Sequence, residues 1–212
     1  MRNDNRSRIS DFGEVFTSEL EVRAMLDLVQ HETQRIDSRF LEPSCGDGNF
    51  LVEVLKRKLE IVKSRYSKVQ SDFERNAFLA VSSIYGIDIL QDNTEACRQR
   101  LFQSLMICYS GLFQKHNEDF LNAIKFVLSL NILHGDALSL ELPNSKEPIV
   151  FSEWSFATGN LVKRTDYTLS NLLAYQPFEE TSLFSDLGDT AFIPHALKKH
   201  KLVNYLEVHH IN

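Results

Sequence analysis

What this 212-residue chain lacks narrows its chemistry first. It has no surplus of positive charge: 29 Asp and Glu outnumber 23 Lys and Arg, for a net charge of −6. Proteins that neutralise many phosphates usually carry a basic surface, because released counterions drive that binding. Here the two small basic runs, "VKR" at 162–164 and "KKHK" at 198–201, read as solvated faces. No apolar run is long enough to span a bilayer, and "MRNDNRSRIS" does not open a signal-peptide pattern, so the expected compartment is the cytoplasm, with no membrane partner. Three cysteines, an odd number at no ligand spacing, argue against a disulfide framework and for a reducing environment. Cys97 and Cys108 fall in register with Leu101, Leu105 and Leu112, as buried helix residues do. The seven histidines form no metal-binding pattern either, and no metal is expected.

What is present is an alternation of helical and strand-like segments in a chain long enough for one ordinary domain. The first ten residues are polar and read as a loose arm. In "FTSELEVRAMLDLVQ", Ser18 with Glu21 three residues on makes a capping box, and Val22, Met25, Leu26 and Val29 follow at helical spacing. "SRFLEP" is a short strand candidate before a turn. Leu51, Leu55, Leu59 and Val62 then mark a second helix. "SDFERNAFLAVSS" is another, leading into the β-branched and aromatic run "IYGIDIL". A helix starting near Asp92 and Glu95 extends to about Lys115, and "NEDFLNAIKFVLSL" gives one more. "NILHGDAL" and "EPIVFSEWSF" fit strands. Strands alternating with helices indicate an α/β fold with a mainly parallel sheet and helices on both faces. The expected organisation is a single domain over 1–212, with an N-terminal arm and helix over 1–35, a core over 36–170 and an extension over 171–212. Past Ser170 the pattern weakens, leaving little material to finish a large sheet.

In such a sheet, ligands bind outside the carboxyl ends of the strands. "EPSCGDGNF" lies at one, where Gly46 and Gly48 let backbone approach a ligand and the next helix offers unpaired N–H groups. A dinucleotide fits poorly. Leu51 stands where its fingerprint wants a third glycine, and Asp88 lies too far on for the ribose acid. Glu42 and Asp47 also oppose a pyrophosphate. A sulfonium with an amino-acid tail suits an acidic strand end better.

Four segments in order resemble the gamma-class adenine-N6 DNA methyltransferases of restriction–modification systems. "FGEVFTSELEVRAMLDLV" resembles the N-terminal motif over the cofactor, with Ser18 where the family has Pro. "LEPSCGDGNFL" is similar to the central cofactor motif, "IYGIDI" to the second strand and "NILHGDAL" to the third strand end. The resemblance spans residues 12–138 and implies a Rossmann-like S-adenosylmethionine-dependent methyltransferase fold. It also implies roles. Phe16 and Thr17 would line the methionine side, and Glu42 with the backbone of Pro43, Cys45, Gly46 and Gly48 would form the pocket floor. Asp88 would accept from the ribose hydroxyls with Ile89 on the adenine face, and Asp136 would accept from the adenine amine beside Ala137. Each residue has a plainer reading too: Asp88 capping the next helix, Asp136 ordering its own turn, Phe12 and Phe16 in a core.

The family's Asn-Pro-Pro-aromatic motif, whose acceptors take the hydrogens of the target amine, is absent from the sequence. Ser152, Glu153 and Trp154 stand in its place, Glu153 as a potential acceptor and Trp154 as a potential stacking platform or, more plainly, as packing. No target-recognition segment is expected after Trp154. The resemblance therefore implies DNA as a partner with help from another subunit, a specificity or nuclease component. The alternatives are a cofactor-binding module that methylates nothing by itself, and a methyltransferase with a non-DNA substrate.

Overall fold

The computed structural model describes residues 17–174 and 194–210. It opens on helix α1 (Glu19–Leu28), whose capping box forms as expected: Glu21 N donates to Ser18 Oγ at 3.3 Å, and Ser18 N donates to Glu21 Oε2 at 3.1 Å. Val22 and Leu26 are buried, but Met25 and Val29 are exposed, so only half the expected apolar face packs. The chain breaks at Val29 into the single turn α2 (Gln30–Thr33), which rotates that face away. After β1 (Phe40–Glu42) come α3 (Asn49–Tyr66) and α4 (Gln70–Ser82), then β2 (Ile84–Asp88), α5 (Gln91–Ser110), α6 (Glu118–Asn131) and β3 (Ile132–His134). The stripe Leu51, Leu55, Leu59 and Val62 is buried throughout, as its spacing requires.

β1, β2 and β3 form a parallel sheet in that order, and all five residues of β2 are buried. Glu42 lies opposite Gly86, and Asp88 opposite His134. Paired residues, and those two apart on a strand, share a face, so Glu42, Gly86, Asp88 and His134 all belong to one side. On that side α3 closes tightly: a Cβ on Gly86 would meet Leu51 Cδ1 at 2.8 Å.

The expected mainly parallel sheet stops at β3. β4 (Val150–Thr158) and β5 (Leu161–Thr168) are an antiparallel hairpin, with short β6 (Lys198–Lys199) and β7 (Val203–Asn204) also pairing antiparallel to β5. Four of the seven strands among the described residues thus belong to a second sheet. A parallel fourth strand needs a crossover of a dozen or more residues, usually helical, and the stretch 135–149 contains no helix. Two long strand-forming runs separated by Gly159 and Asn160, with Gly159 at φ 56°, instead favour a tight hairpin.

The hairpin replaces helices as cover for one face of β2. Tyr85 and Ile87 pack with Ile149, Phe151 and Leu169, and the Tyr85 and Phe151 rings meet edge to face at 5.3 Å. Further along, Trp154 packs against Phe78 of α4 and Phe126 of α6. Tyr205, in a 3-10 turn (Tyr205–His210), joins the same cluster. One apolar core runs from Val22 to Val208, tying the N-terminal helix to the late turn.

Lys58 interrupts the apolar stripe of α3 and is completely buried. Its ammonium donates to the carbonyls of Ile36 and Ser38 and to the Ser83 hydroxyl, joining the entry to β1 with the entry to β2. Burial pushes it down to about 7 from the usual 10.5. The folded state therefore binds fewer protons than the unfolded chain between those values, and Lys58's contribution to stability rises with pH across the window. Chemical denaturation at stepped pH should show the difference between wild type and Lys58→Met moving towards the wild type above pH ~7, by at most ~1.4 kcal/mol per unit. A difference that does not change with pH would remove this account of Lys58.

Candidate functional site

The turn after β1 is built by contacts from three neighbours. Cys45 N donates to the Ile87 carbonyl at 2.8 Å, and Gly48 N donates to the Cys45 carbonyl at 2.8 Å. Gly46 and Gly48 have φ of 52° and 94°, the left-handed region that glycine adopts without steric cost. From α5, Arg100 pairs with the Asp47 carboxylate at 2.7 Å and donates to the Asp47 carbonyl at 3.0 Å and to Asn49 Oδ1 at 2.8 Å. Behind the turn, a Cβ on Gly48 would lie 2.7 Å from Cys97 Sγ. Gly48 therefore serves contact between the turn and α5.

Above the turn lies a cleft of about 170 Å3, lined by Thr17, Met25, Glu42, Ser44, Cys45, Gly46, Asp47, Asn49 and Phe50. Its charge is acidic. Burial pushes the Glu42 carboxyl up, offset in part by a hydrogen bond from the Ser44 backbone. Asp47 is neutralised by Arg100. Cys45 is 5% exposed. The neighbouring Cys97 thiol, with burial, pushes the Cys45 thiol up, so it is packed and not activated as a nucleophile.

Asp88 sits just beneath the cleft. Its Oδ2 accepts from Gly46 N at 2.8 Å, and its Oδ1 accepts from Leu90 N at 2.9 Å and from Asn93 Nδ2 at 3.1 Å. One carboxylate thus orders the turn after β1 and the start of α5. Ile89, next along, is 45% exposed, and His134 Nε2 donates to its carbonyl at 2.9 Å. Asp136 accepts from Leu138 N at 2.9 Å, and that bond, with the Ser139 hydroxyl, holds its carboxyl below the usual range. Ala137 is half-buried and Leu138 almost fully exposed.

Of the residues expected from the sequence, Thr17, Glu42, Cys45 and Gly46 share the cleft. Pro43 lies in the turn, Gly48 behind it and Asp88 below. Ile89, Asp136 and Ala137 occupy the neighbouring strand tips and do not line the cleft. Phe16 and Phe12 lie outside the described residues. Met25, Arg100 and His134 are additions that sequence patterning does not supply. Helical spacing assigns Met25 to the core face of α1, and nothing in a surface-patterned helix distinguishes Arg100 from its neighbours. The pairing of His134 with Asp88 emerges only from the register.

Ser152, Glu153 and Trp154 do not form a base site at this cleft. Ser152 Oγ is buried and donates to Asp166 Oδ1 at 2.7 Å, within a cluster completed by Arg164 and His200. Trp154 is 6% exposed in the aromatic core, where no base can stack on it. The reason is the alternation along β4, which puts Ser152 and Trp154 on the face that meets Asp166 and the aromatic core, and Phe151 and Glu153 on the face towards Tyr85. Glu153 alone stays accessible. It pairs with Arg39 beside a cavity of about 150 Å3 that Leu41, Tyr85, Phe151, Tyr167 and Leu172 complete, on the opposite face from Glu42.

Asp88→Asn should destabilise the ligand-free protein by about 1–3 kcal/mol in chemical denaturation, because an amide turns a donor towards backbone N–H groups that need an acceptor. An unchanged midpoint would show that Asp88 does not hold the turn. Comparison of the chain with protein-family models, with curated proteins and with solved structures finds no match.

Proposed function

We propose that this chain is an S-adenosylmethionine-binding, DNA methyltransferase-like protein, the adenine-N6 modification component of a restriction–modification system, acting with a specificity or nuclease subunit. The observation that carries the reading is the acidic cleft over the glycine turn after β1, lined by Glu42 and Asp47, with Asp88 beneath it and Asp136 following the end of β3 outside it. A poorly solvated carboxylate over a glycine turn favours a ligand with positive charge and disfavours phosphates. Sulfonium and amino groups supply that charge, and the bound cofactor would supply an electrophilic methyl group.

The residues divide the work unevenly. Thr17, Glu42 and the Gly46 backbone would hold the methionine end, since 170 Å3 is small beside the ~300–1,000 Å3 of typical ligand sites. The exposed tips around Ile89 and Ala137 would take the nucleoside end. A carboxylate offers about four lone-pair positions, and Asp88 already fills three of them. It therefore has room for one ribose hydroxyl, and its larger part is to position the turn.

A second reading has a specific observation behind it. Methyl transfer to an amine needs acceptors aligned with the attack. Ser152 and Trp154 are committed elsewhere, and among the described residues no fourth parallel strand stands beside β1. That favours a cofactor-binding module which methylates nothing by itself. Glu153, in its own cavity, is the acceptor of that run still open to a non-DNA substrate.

Titration calorimetry should show S-adenosylmethionine binding, weakened about tenfold or more by Glu42→Gln with little loss of stability. Affinity should also fall as pH is lowered from neutral, earlier than an ordinary glutamate would allow, because burial raises the Glu42 carboxyl. No binding at high cofactor concentration would overturn the reading. With methyl-labelled cofactor and mixed genomic DNA, the isolated chain should transfer little or nothing. Strong labelling of adenine would show that the chain is a complete enzyme.

A further inference from the structure

The antiparallel sheet brings together the two basic runs that the sequence keeps far apart. Thr165 pairs with Lys199 and Asp166 with Lys198, and His200 N donates to the Arg164 carbonyl at 3.0 Å. Lys163 lies two residues from Thr165, so it shares a face with Lys199, and the exposed Lys201 follows just past the end of β6. Lys163, Lys198, Lys199 and Lys201 are all exposed, and none forms an ion pair among the described residues.

The nearby acids are already engaged. Asp166 is buried beneath Arg164 and His200, with N–O distances of 2.8 and 2.7 Å, and Glu153 on the adjoining strand is held by Arg39. His200 anchors the end of β6 to Asp166, while Lys199 belongs to the opposite face of the sheet. In a chain of net charge −6, this edge is a local reversal of sign.

We infer that this lysine edge is a nucleic-acid docking surface, which contacts the phosphate backbone of duplex DNA without reading its sequence. Lys199 and Lys163 stand diagonally on adjacent strands spaced roughly 4.8 Å apart, with Lys201 two residues further along the chain. Unpaired ammonium groups on a flat, extended edge suit point contacts to phosphates. Leu197 and Leu202 flank the run singly and do not form the continuous apolar face that a membrane surface requires. The inference rests on the DNA part of the reading above and on nothing in the cofactor cleft.

The test is fluorescence anisotropy with a short labelled duplex of arbitrary sequence, across a salt series and without S-adenosylmethionine. The wild type should bind at low salt. K163Q/K199Q/K201Q should bind about tenfold or more weakly, with a log–log salt slope shallower by about 2.7, at ~0.9 for each phosphate no longer neutralised. The variant's melting temperature should be unchanged, since all three side chains are exposed. Equal binding by the variant would overturn the inference. So would absence of wild-type binding at low salt, which would leave the lysines as guards of a free sheet edge. Binding to phosphatidylserine vesicles but not to DNA would overturn it too. Because the cofactor is omitted, failure here leaves the calorimetric test of the cleft intact.

Discussion

The hydrogen bond from Gly46 N to Asp88 joins two elements that must stay in register for any ligand site at this edge of the sheet. A turn containing two left-handed glycines has little conformational preference of its own. It takes its shape from outside, through Asp88 below, Arg100 at the side and Cys97 behind. Asp88 is costly to bury as a charge, and three donors offset that cost. The same three bonds connect β1, β2 and the start of α5, so the acidic cleft above them is a product of strand register as much as of local sequence.

The second sheet changes what surrounds that cleft. In an open doubly wound sheet, strand order reverses beside the first strand and ligands settle at the reversal. Here the parallel strands stop at the order β1-β2-β3, and the chain then departs into an antiparallel hairpin that lies across Tyr85 and Ile87. The strand tips and the glycine turn lie clear of the hairpin, while Trp154, in the run expected to supply a reacting group, packs on Phe78 and Phe126 in an aromatic core. The cleft over the glycine turn and the Ser152–Trp154 run are thereby separated in space.

Much of this is legible in the residues. The capping box at Ser18, the α3 stripe and the β2 run each carry a local signal strong enough to survive tertiary context. The placing of Glu42, Cys45 and Gly46 together stems from one turn flanked by a strand and a helix, and Thr17 joins them by accepting from Asn49 Nδ2 through its carbonyl. The antiparallel hairpin escapes a sequence reading because "EPIVFSEWSF" has the same β-branched and aromatic content in either sheet type. The decisive signals lie outside it, in the helix-free stretch before Ile149 and the Gly159 turn after it. Asp88's three donors are equally hidden, since Gly46 lies 42 positions away in sequence. The lysine edge is invisible for a related reason: two short basic runs look ordinary until β5 and β6 pair.

The contact of Gly48 with Cys97 has a consequence for how this protein can vary. With its left-handed φ and only 2.7 Å between a hypothetical methyl and the sulfur, position 48 cannot gain even one carbon unless position 97 gives way. Position 97 in turn cannot enlarge without driving the turn off its glycine conformation. The two sites behave as a single steric allowance shared between a loop and a helix, so substitutions that are individually modest at either one are excluded together.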